Sequence, residues 1–168
     1  MARTPSPTAG TVQAAHPPAA LMRHVVNPVM RTLLRSPLAR WTGPLVLLEV
    51  VGRRTGRRLR IPVVGHWVDG VLHVSTDGRW TANFEGGAGL HVVQRGRRWA
   101  ARGILLEDPQ ETVAVLRAAL GTSSPRSMGL GGVPAGHQIT DEEWLRLRRV
   151  VRITADDADA AERAAPAS

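Results

Sequence analysis

Short apolar segments joined by tight turns restrict the fold of this chain more than any other feature. Leu45–Val51 has the length and composition of a buried strand, and residues 60–68 form its return strand. Asp69-Gly70 is a strong hairpin signal before the next strand, residues 71–75. Three further strands are predicted over residues 90–94, 98–105 and 150–154. About six consecutive, mostly antiparallel strands are compatible with a closed or split barrel.

Helices are predicted at three or four places between these strands. Asn27-Pro28 can cap and begin one helix, and Asp108-Pro109 can begin another. Residues 79–84 favour a helical turn, and Thr140 begins a capping box three residues before Glu143. Strands and helices do not alternate regularly, which argues against a Rossmann fold. The fold class expected is α+β, mainly β.

The chain of 168 residues is long enough for one folded domain. Residues 1–20 are rich in Pro, Ala and Thr, and residues 155–168 are acidic and rich in Ala; both are expected to be disordered tails. The folded domain is expected over residues 21–154. Residues 121–138 form a Gly-, Pro- and Ser-rich loop, a type that is often mobile.

Composition excludes several kinds of chemistry. The chain has no Cys, which rules out disulfides, thiolate catalysis and cysteine-based metal sites, and it has no Tyr to serve as a phenolic acid. The six histidines show no familiar metal-binding spacing, so no metal is expected. No apolar run is long enough to span a bilayer and no secretory signal is visible, which makes a cytoplasmic location the default expectation. The net charge of +8 comes with arginine as the only strongly basic residue type and indicates an anionic partner.

The arginines concentrate in one turn. Five of the eight residues from 53 to 60 are Arg, and Gly52 and Gly56 flank Arg53, Arg54 and Thr55. Such a turn can expose backbone N–H groups to an anion while arginine side chains close over its oxygens. The spacing matches neither a Walker loop nor a dinucleotide fingerprint. A solvated hairpin turn has the same composition, so the residues alone leave both interpretations open.

A second segment, residues 78–84, carries Trp80 and Asn83. Their spacing of three places both side chains on one face of a helical turn. An indole beside an amide can pack on an aromatic ring and hydrogen-bond to it. A core Trp followed by a helix-terminal Asn gives the same pattern.

Taken together and in this order, these segments resemble the deazaflavin (F420)-dependent nitroreductase family, also described as F420H2-dependent quinone reductases, a branch of the flavin-binding split β-barrels. The features are Asn27-Pro28 with the following helix, the Gly-Arg-Arg-Thr-Gly turn, Pro62-Val63 in the return strand, and Trp80 with Asn83. The resemblance covers roughly residues 27–106 and implies a split β-barrel with three to four flanking helices.

The resemblance also implies a cofactor site. The positions that match it are Arg53, Arg54, Thr55, Gly56, Arg60, Pro62, Val63, Ser75, Trp80 and Asn83. The turn would hold the phosphate and polar tail of coenzyme F420, with FMN as the runner-up cofactor. Clustered arginines suit such anions. The implied activity is hydride transfer from the reduced cofactor to an electron-poor small molecule such as a quinone or a nitro compound.

Two departures from the family leave the catalytic residues unknown. Reductases of this family use tyrosines around the substrate pocket, and this chain has none. Thr76 and Asp77 stand where a second basic residue is expected. Proton delivery would fall to water, Ser75, His66 or His73.

Other classes of function remain open at this stage. One is a split barrel that binds a cofactor or a lipid without catalysis, and another is a basic nucleic-acid-binding module, although no known nucleic-acid signature is present. The basic segment of residues 22–41 could lie on the inner face of a membrane as a peripheral contact. Homodimerisation is a further expectation, whereas nucleic acid is not an expected partner.

Overall fold

The computed structural model describes residues 13–14, 44–134 and 136–156. Its strands are β1 (Gln13–Ala14), β2 (Leu45–Val51), β3 (Arg58–Val68), β4 (Val71–Thr76), β5 (Ala88–Gln94), β6 (Arg97–Leu105), β7 (Leu130–Gly131) and β8 (Arg149–Ala155). Its helices are a 3₁₀ helix (Arg79–Phe84), α1 (Pro109–Thr122) and α2 (Asp141–Leu147). Six strands close into an antiparallel barrel in the order β2-β3-β4-β8-β6-β5. The predicted class, α+β and mainly β, is confirmed.

Strand β3 bends so that it can pair with two neighbours. Its first part pairs with β2 up to Val64, and its last part pairs with β4 from Gly65 onward. A Cβ at Gly65 would lie 2.7 Å from the Leu72 side chain and 3.3 Å from that of Val46. Since Cβ atoms do not approach that closely, the bend needs glycine at this point.

The barrel interior is an apolar core to which each strand contributes alternate residues. Val46, Leu48 and Val50 point inward from β2, as period-two alternation predicts for one face of a strand. Phe84 from the 3₁₀ helix also belongs to this core and is fully buried. Its ring packs against Gly103 of β6, where a Cβ would lie 2.6 Å from Cδ1 of Phe84. The 3₁₀ helix is therefore anchored in the barrel.

A layer formed by α1, α2 and the connection between them covers part of the outer face of the barrel, where a second apolar cluster includes Leu116, Trp144 and Val150. The side chain of Asp108 caps α1 by accepting from the N–H of Gln110. The predicted capping box is present at the start of α2.

Some boundaries differ from the sequence expectations. Strand β3 begins at residue 58 and β5 at residue 88, two residues earlier than predicted in each case. The short strand β1 pairs with β7, so two residues of the predicted N-terminal tail are paired and part of the predicted loop 121–138 is a strand. Backbone pairing of this kind is available to any non-proline sequence and leaves little trace in composition. The predicted helix after Asn27 lies outside the described residues. Among the described residues, no helix is long and apolar enough to cross a membrane.

Candidate functional site

The arginine turn, residues 52–57, is a closed loop held by its own backbone. The N–H of Gly52 donates to the carbonyl oxygen of Arg57, and the N–H of Gly56 donates to that of Gly52, both at 2.8 Å. Gly56 has a φ of 64°, in the left-handed region that glycine adopts without cost. The sequence thus fixes a tight turn between β2 and β3 that displays its arginine side chains outward.

Asn83 connects this turn to the 3₁₀ helix. Its Oδ1 accepts from the backbone N–H of Arg53 at 2.9 Å, and its Nδ2 donates to the carbonyl oxygen of Trp80 at 2.8 Å. The guanidinium of Arg53 also contacts the carboxylate of Glu85 at 3.0 Å. The two segments that the sequence singled out separately are therefore parts of one site.

The charge of the turn is only partly neutralised. Arg54 and Arg57 are exposed, and neither has a carboxylate within ion-pair distance among the described residues. The backbone N–H groups of Arg54 and Thr55 likewise have no hydrogen-bond acceptor in the described part of the chain. Two cationic side chains and two open N–H groups are the donors that an oxyanion requires.

Trp80 lies on the same 3₁₀ helix as Asn83. It packs at the edge of the barrel core, and its ring meets that of Phe84 edge-on, with centroids 5.9 Å apart and an interplanar angle of 84°. A Cβ on Gly78 would lie 2.4 Å from the indole nitrogen, so the indole rests directly on that glycine. Trp80 is thereby held in one position, and Asn83 links its carbonyl oxygen to the arginine turn.

The structure distributes the other predicted site residues over different surfaces. Arg60 and Pro62 point outward from β3, and Arg60 contacts Glu49 at 3.4 Å. Val63 packs against the barrel interior. Alternation along the strand therefore separates Pro62 and Val63, which the resemblance placed together along the cofactor.

Ser75 faces the helical layer. On the same strand, Leu72 and Val74 point into the barrel, so Ser75 points outward. Ser75 stands opposite Val150, which belongs to the second apolar cluster. Its Oγ is buried and has no hydrogen-bond partner among the described residues. Ser75 is therefore not grouped with the arginine turn in this structure.

Two buried histidines stand opposite each other on β3 and β4, on the same helix-covered side. His66 Nδ1 lies 3.2 Å from Oγ of Ser123, and His73 Nδ1 lies 3.1 Å from the carbonyl oxygen of Val71. Burial lowers the pKa of His66, and the neighbouring His73 lowers it further. Burial is also the main reason that the pKa of His73 is lowered, with a smaller contribution from the charge of Arg152.

Sequence reasoning missed the acidic partners of the arginines. Glu49 lies between Arg60 and Arg98, and Glu85 binds Arg53. Glu85 could have been suspected because it follows Asn83 by two residues. Glu49 needs the register of β2 with β3, which places it directly opposite Arg60.

The comparisons with known proteins give distant structural likeness. No family model and no curated protein matches the chain. An F420-H2 dependent reductase (FDR-A) is 14% identical, with a TM-score of 0.48, over 67% of this chain and 95% of that chain. A domain-swapped dimer is 14% identical, with a TM-score of 0.49, over 77% and 96%. A proposed 5-nitroimidazole antibiotic resistance protein from Bacteroides thetaiotaomicron VPI-5482 is 9% identical, with a TM-score of 0.44, over 69% and 75%.

Because these identities and TM-scores are low, the fold rests on the strand order and register of the chain itself. That order defines a six-stranded antiparallel barrel with a basic turn at one end, fastened to an aromatic 3₁₀ helix. Chemically, the basic turn can bind an oxyanion, and the helix fastened to it carries an aromatic side chain.

Proposed function

We propose that this protein is an F420-dependent oxidoreductase that reduces an electron-poor small molecule. The observation that carries the proposal is the hydrogen bond from the Arg53 N–H to Asn83, which joins the arginine turn and the Trp80 helix into one site. A phosphorylated, aromatic cofactor needs both halves of such a site. The sequence resemblance to F420-dependent reductases supports the same interpretation.

The residues of the turn fit the anionic part of this cofactor. Arg54 and Arg57 would bind its phosphate, and the open N–H groups of Arg54 and Thr55 would add two directed donors. Asn83 and Glu85 hold Arg53, which fixes the position of the turn before anything binds. Ordering the turn in advance lowers the entropy cost of binding.

When bound, the cofactor supplies a hydride to a quinone, a nitro compound or a similar acceptor. The protein contributes position and charge. Ser75, His66 and His73 face the helical layer, and the two histidines are held neutral by burial. We therefore assign proton delivery to water.

The first experiment is a titration of the purified protein with coenzyme F420, followed by Trp fluorescence, with FMN as competitor. Preferential binding of F420 supports the proposal and justifies a screen of acceptors with the reduced cofactor. Preference for FMN contradicts the choice of cofactor, and binding of F420 without turnover of any acceptor indicates a non-catalytic carrier. Failure to bind either one refutes the proposal.

The arginine turn is tested by Arg54→Glu with Arg126→Glu as the matched control. Both arginines are exposed and both changes alter the net charge equally, but Arg126 lies in the connection between α1 and α2. Since a charge-assisted hydrogen bond contributes about 1.5–3 kcal/mol, Arg54→Glu should weaken F420 binding at least about tenfold. Both variants should fold as the wild type does. Equal affinity of the two variants would show that the turn is only a solvated hairpin.

The rival nucleic-acid function gives a different salt dependence. Binding to generic DNA through arginines should fall steeply as salt rises, because phosphate contacts release counterions.

We also propose that the protein is cytoplasmic and that it forms a homodimer. The alternative location is the inner face of a membrane, with a peripheral contact through residues 22–41. Light scattering tests the dimer, and vesicle co-sedimentation of a chain lacking residues 1–41 tests the membrane contact.

A further inference from the structure

A small cleft opens on the outer face of the barrel, next to the arginine turn. Its volume is about 150 Å³. We call it the arginine cleft, and its lining comes from strands β2, β3, β5 and β6: Glu49, Val50, Val51, Arg58, Leu59, Arg60, His91 and Arg98. None of residues 52–57 lines it, so the arginine cleft and the arginine turn are separate places on the surface.

Strand register explains why charged groups meet here. Glu49 stands opposite Arg60 on one side and opposite His91 on the other. Arg98 reaches the same point from β6, and its Nε lies 3.1 Å from Oε2 of Glu49. Nε of Arg60 lies 3.4 Å from Oε1 of the same carboxylate. One glutamate therefore holds two arginines at the cleft.

This arrangement prepares the cleft for an anion. The Glu49 side chain is only 14% exposed, so it is a built-in contact rather than a mobile surface group. Arg58 has no carboxylate within ion-pair distance in the part of the chain that the structure describes. The lining holds three arginines against one glutamate, an excess of two positive charges from these four side chains. Guanidinium groups already held in place lose less rotamer freedom when an oxyanion binds.

Size and lining chemistry limit the occupant. A volume of about 150 Å³ is enough for a phosphate or a short dicarboxylate group. The lining contains no Trp or Phe ring on which a nucleobase could stack. Val51 and Leu59 supply the apolar part of the wall.

We propose that the arginine cleft is an oxyanion-binding site for a small ligand with two or more closely spaced negative charges, borne by phosphate or carboxylate groups. Arg58 and Arg98 contact the anion, and Glu49 is a positioning residue that fixes Arg60 and Arg98. The site needs no F420 at the arginine turn.

The test is calorimetric titration of the full chain at low ionic strength with pyrophosphate and, separately, with tricarballylate. The variants are Arg58→Gln and Arg98→Gln, with Arg126→Gln in the helical layer as the control of equal charge change, and Arg54→Gln reports any separate binding at the arginine turn. We expect the two cleft variants to weaken binding at least fivefold and Arg126→Gln to stay within twofold of the wild type. Perturbation of the His91 ring signals on titration should accompany binding. A preference for one probe identifies phosphate or carboxylate as the natural group.

Two results would overturn the proposal. Wild-type protein that binds neither probe at millimolar concentration would show that the cleft is only a surface ion-pair network. Loss of binding in Arg54→Gln, with the cleft variants unaffected, would place the anion at the arginine turn instead. Arg58→Gln keeps the test valid if Arg98→Gln fails to fold, because Arg58 takes no part in the Glu49 network. Since F420 is absent from these titrations, their failure leaves the proposed reductase function standing.

Discussion

Replacing Gly103 by Ala tests whether the 3₁₀ helix is anchored through Phe84. The added Cβ would lie 2.6 Å from Cδ1 and 2.7 Å from Cε1 of the Phe84 ring. Ordinary carbon contacts need about 3.5–4.0 Å, so one partner must move by roughly 1 Å. Phe84 is fully buried in the barrel core, and its ring also meets Trp80 edge-on. The displacement should therefore reach the helix that carries the candidate site.

The expected cost follows from overpacking a well-filled core. Extra methyl groups at such sites cost about 1–3 kcal/mol in the free energy of unfolding. For a domain of this size, 1 kcal/mol lowers Tm by roughly 3–6 °C. Denaturant unfolding, followed by circular dichroism, should therefore show Gly103→Ala less stable than the wild type by at least about 1 kcal/mol. F420 affinity should also fall, because Trp80 lies on the displaced helix.

Gly89→Ala is the matched control on the paired strand. A Cβ at Gly89 meets nothing within 4 Å, and this glycine does not have a positive φ. Alanine there restricts the unfolded chain and should be neutral or stabilise by up to about 1 kcal/mol. Adding Phe84→Leu to Gly103→Ala should cost less than the sum of the two single changes. A Gly103→Ala protein within about 0.5 kcal/mol of the wild type would refute the anchoring argument.

Two further predictions concern the site and the helix-covered face. Asn83→Ala removes the hydrogen bonds to Arg53 and Trp80. It should lower the free energy of unfolding by about 1–2 kcal/mol in chemical denaturation and weaken F420 binding. Unchanged F420 affinity would mean that this link is not needed for binding. His66 and His73 have lowered pKa values in the folded state. The unfolded chain therefore binds more protons than the folded chain below a pH of about 6.5. The free energy of unfolding should accordingly fall as the pH drops from 7 toward 5. The variant with both histidines changed to Gln should show a flatter pH profile of Tm, and an identical slope would contradict this assignment.

Local patterns in the sequence predicted much of the barrel because each hairpin has its own signal. Asp69 has a φ of 50° and Gly70 a φ of 76°, as the predicted tight turn between β3 and β4 requires. The closure of the barrel could not be predicted in the same way. It depends on β8 pairing with both β4 and β6, and these contacts join residues far apart in the chain.

The candidate site shows the same division between local and distant information. Trp80 and Asn83 could be placed on one helical face from their spacing, and the arginine turn from its glycines. Their union depends on the Oδ1 of Asn83 reaching the N–H of Arg53, thirty residues earlier in the chain. No local rule encodes such a contact.

The alternation of side chains along β3 decides which of the arginines can bind the same ligand. Arg58 and Arg60 both point outward from β3, whereas Leu59 between them packs against the barrel core. A run of basic residues thus divides at the end of the turn. Arg54 and Arg57 remain on the loop, whereas Arg60 on the strand joins Arg98 at the carboxylate of Glu49. What composition presents as one basic cluster is therefore two separate basic surfaces, and substitutions at Arg54 and at Arg98 should affect different ligands.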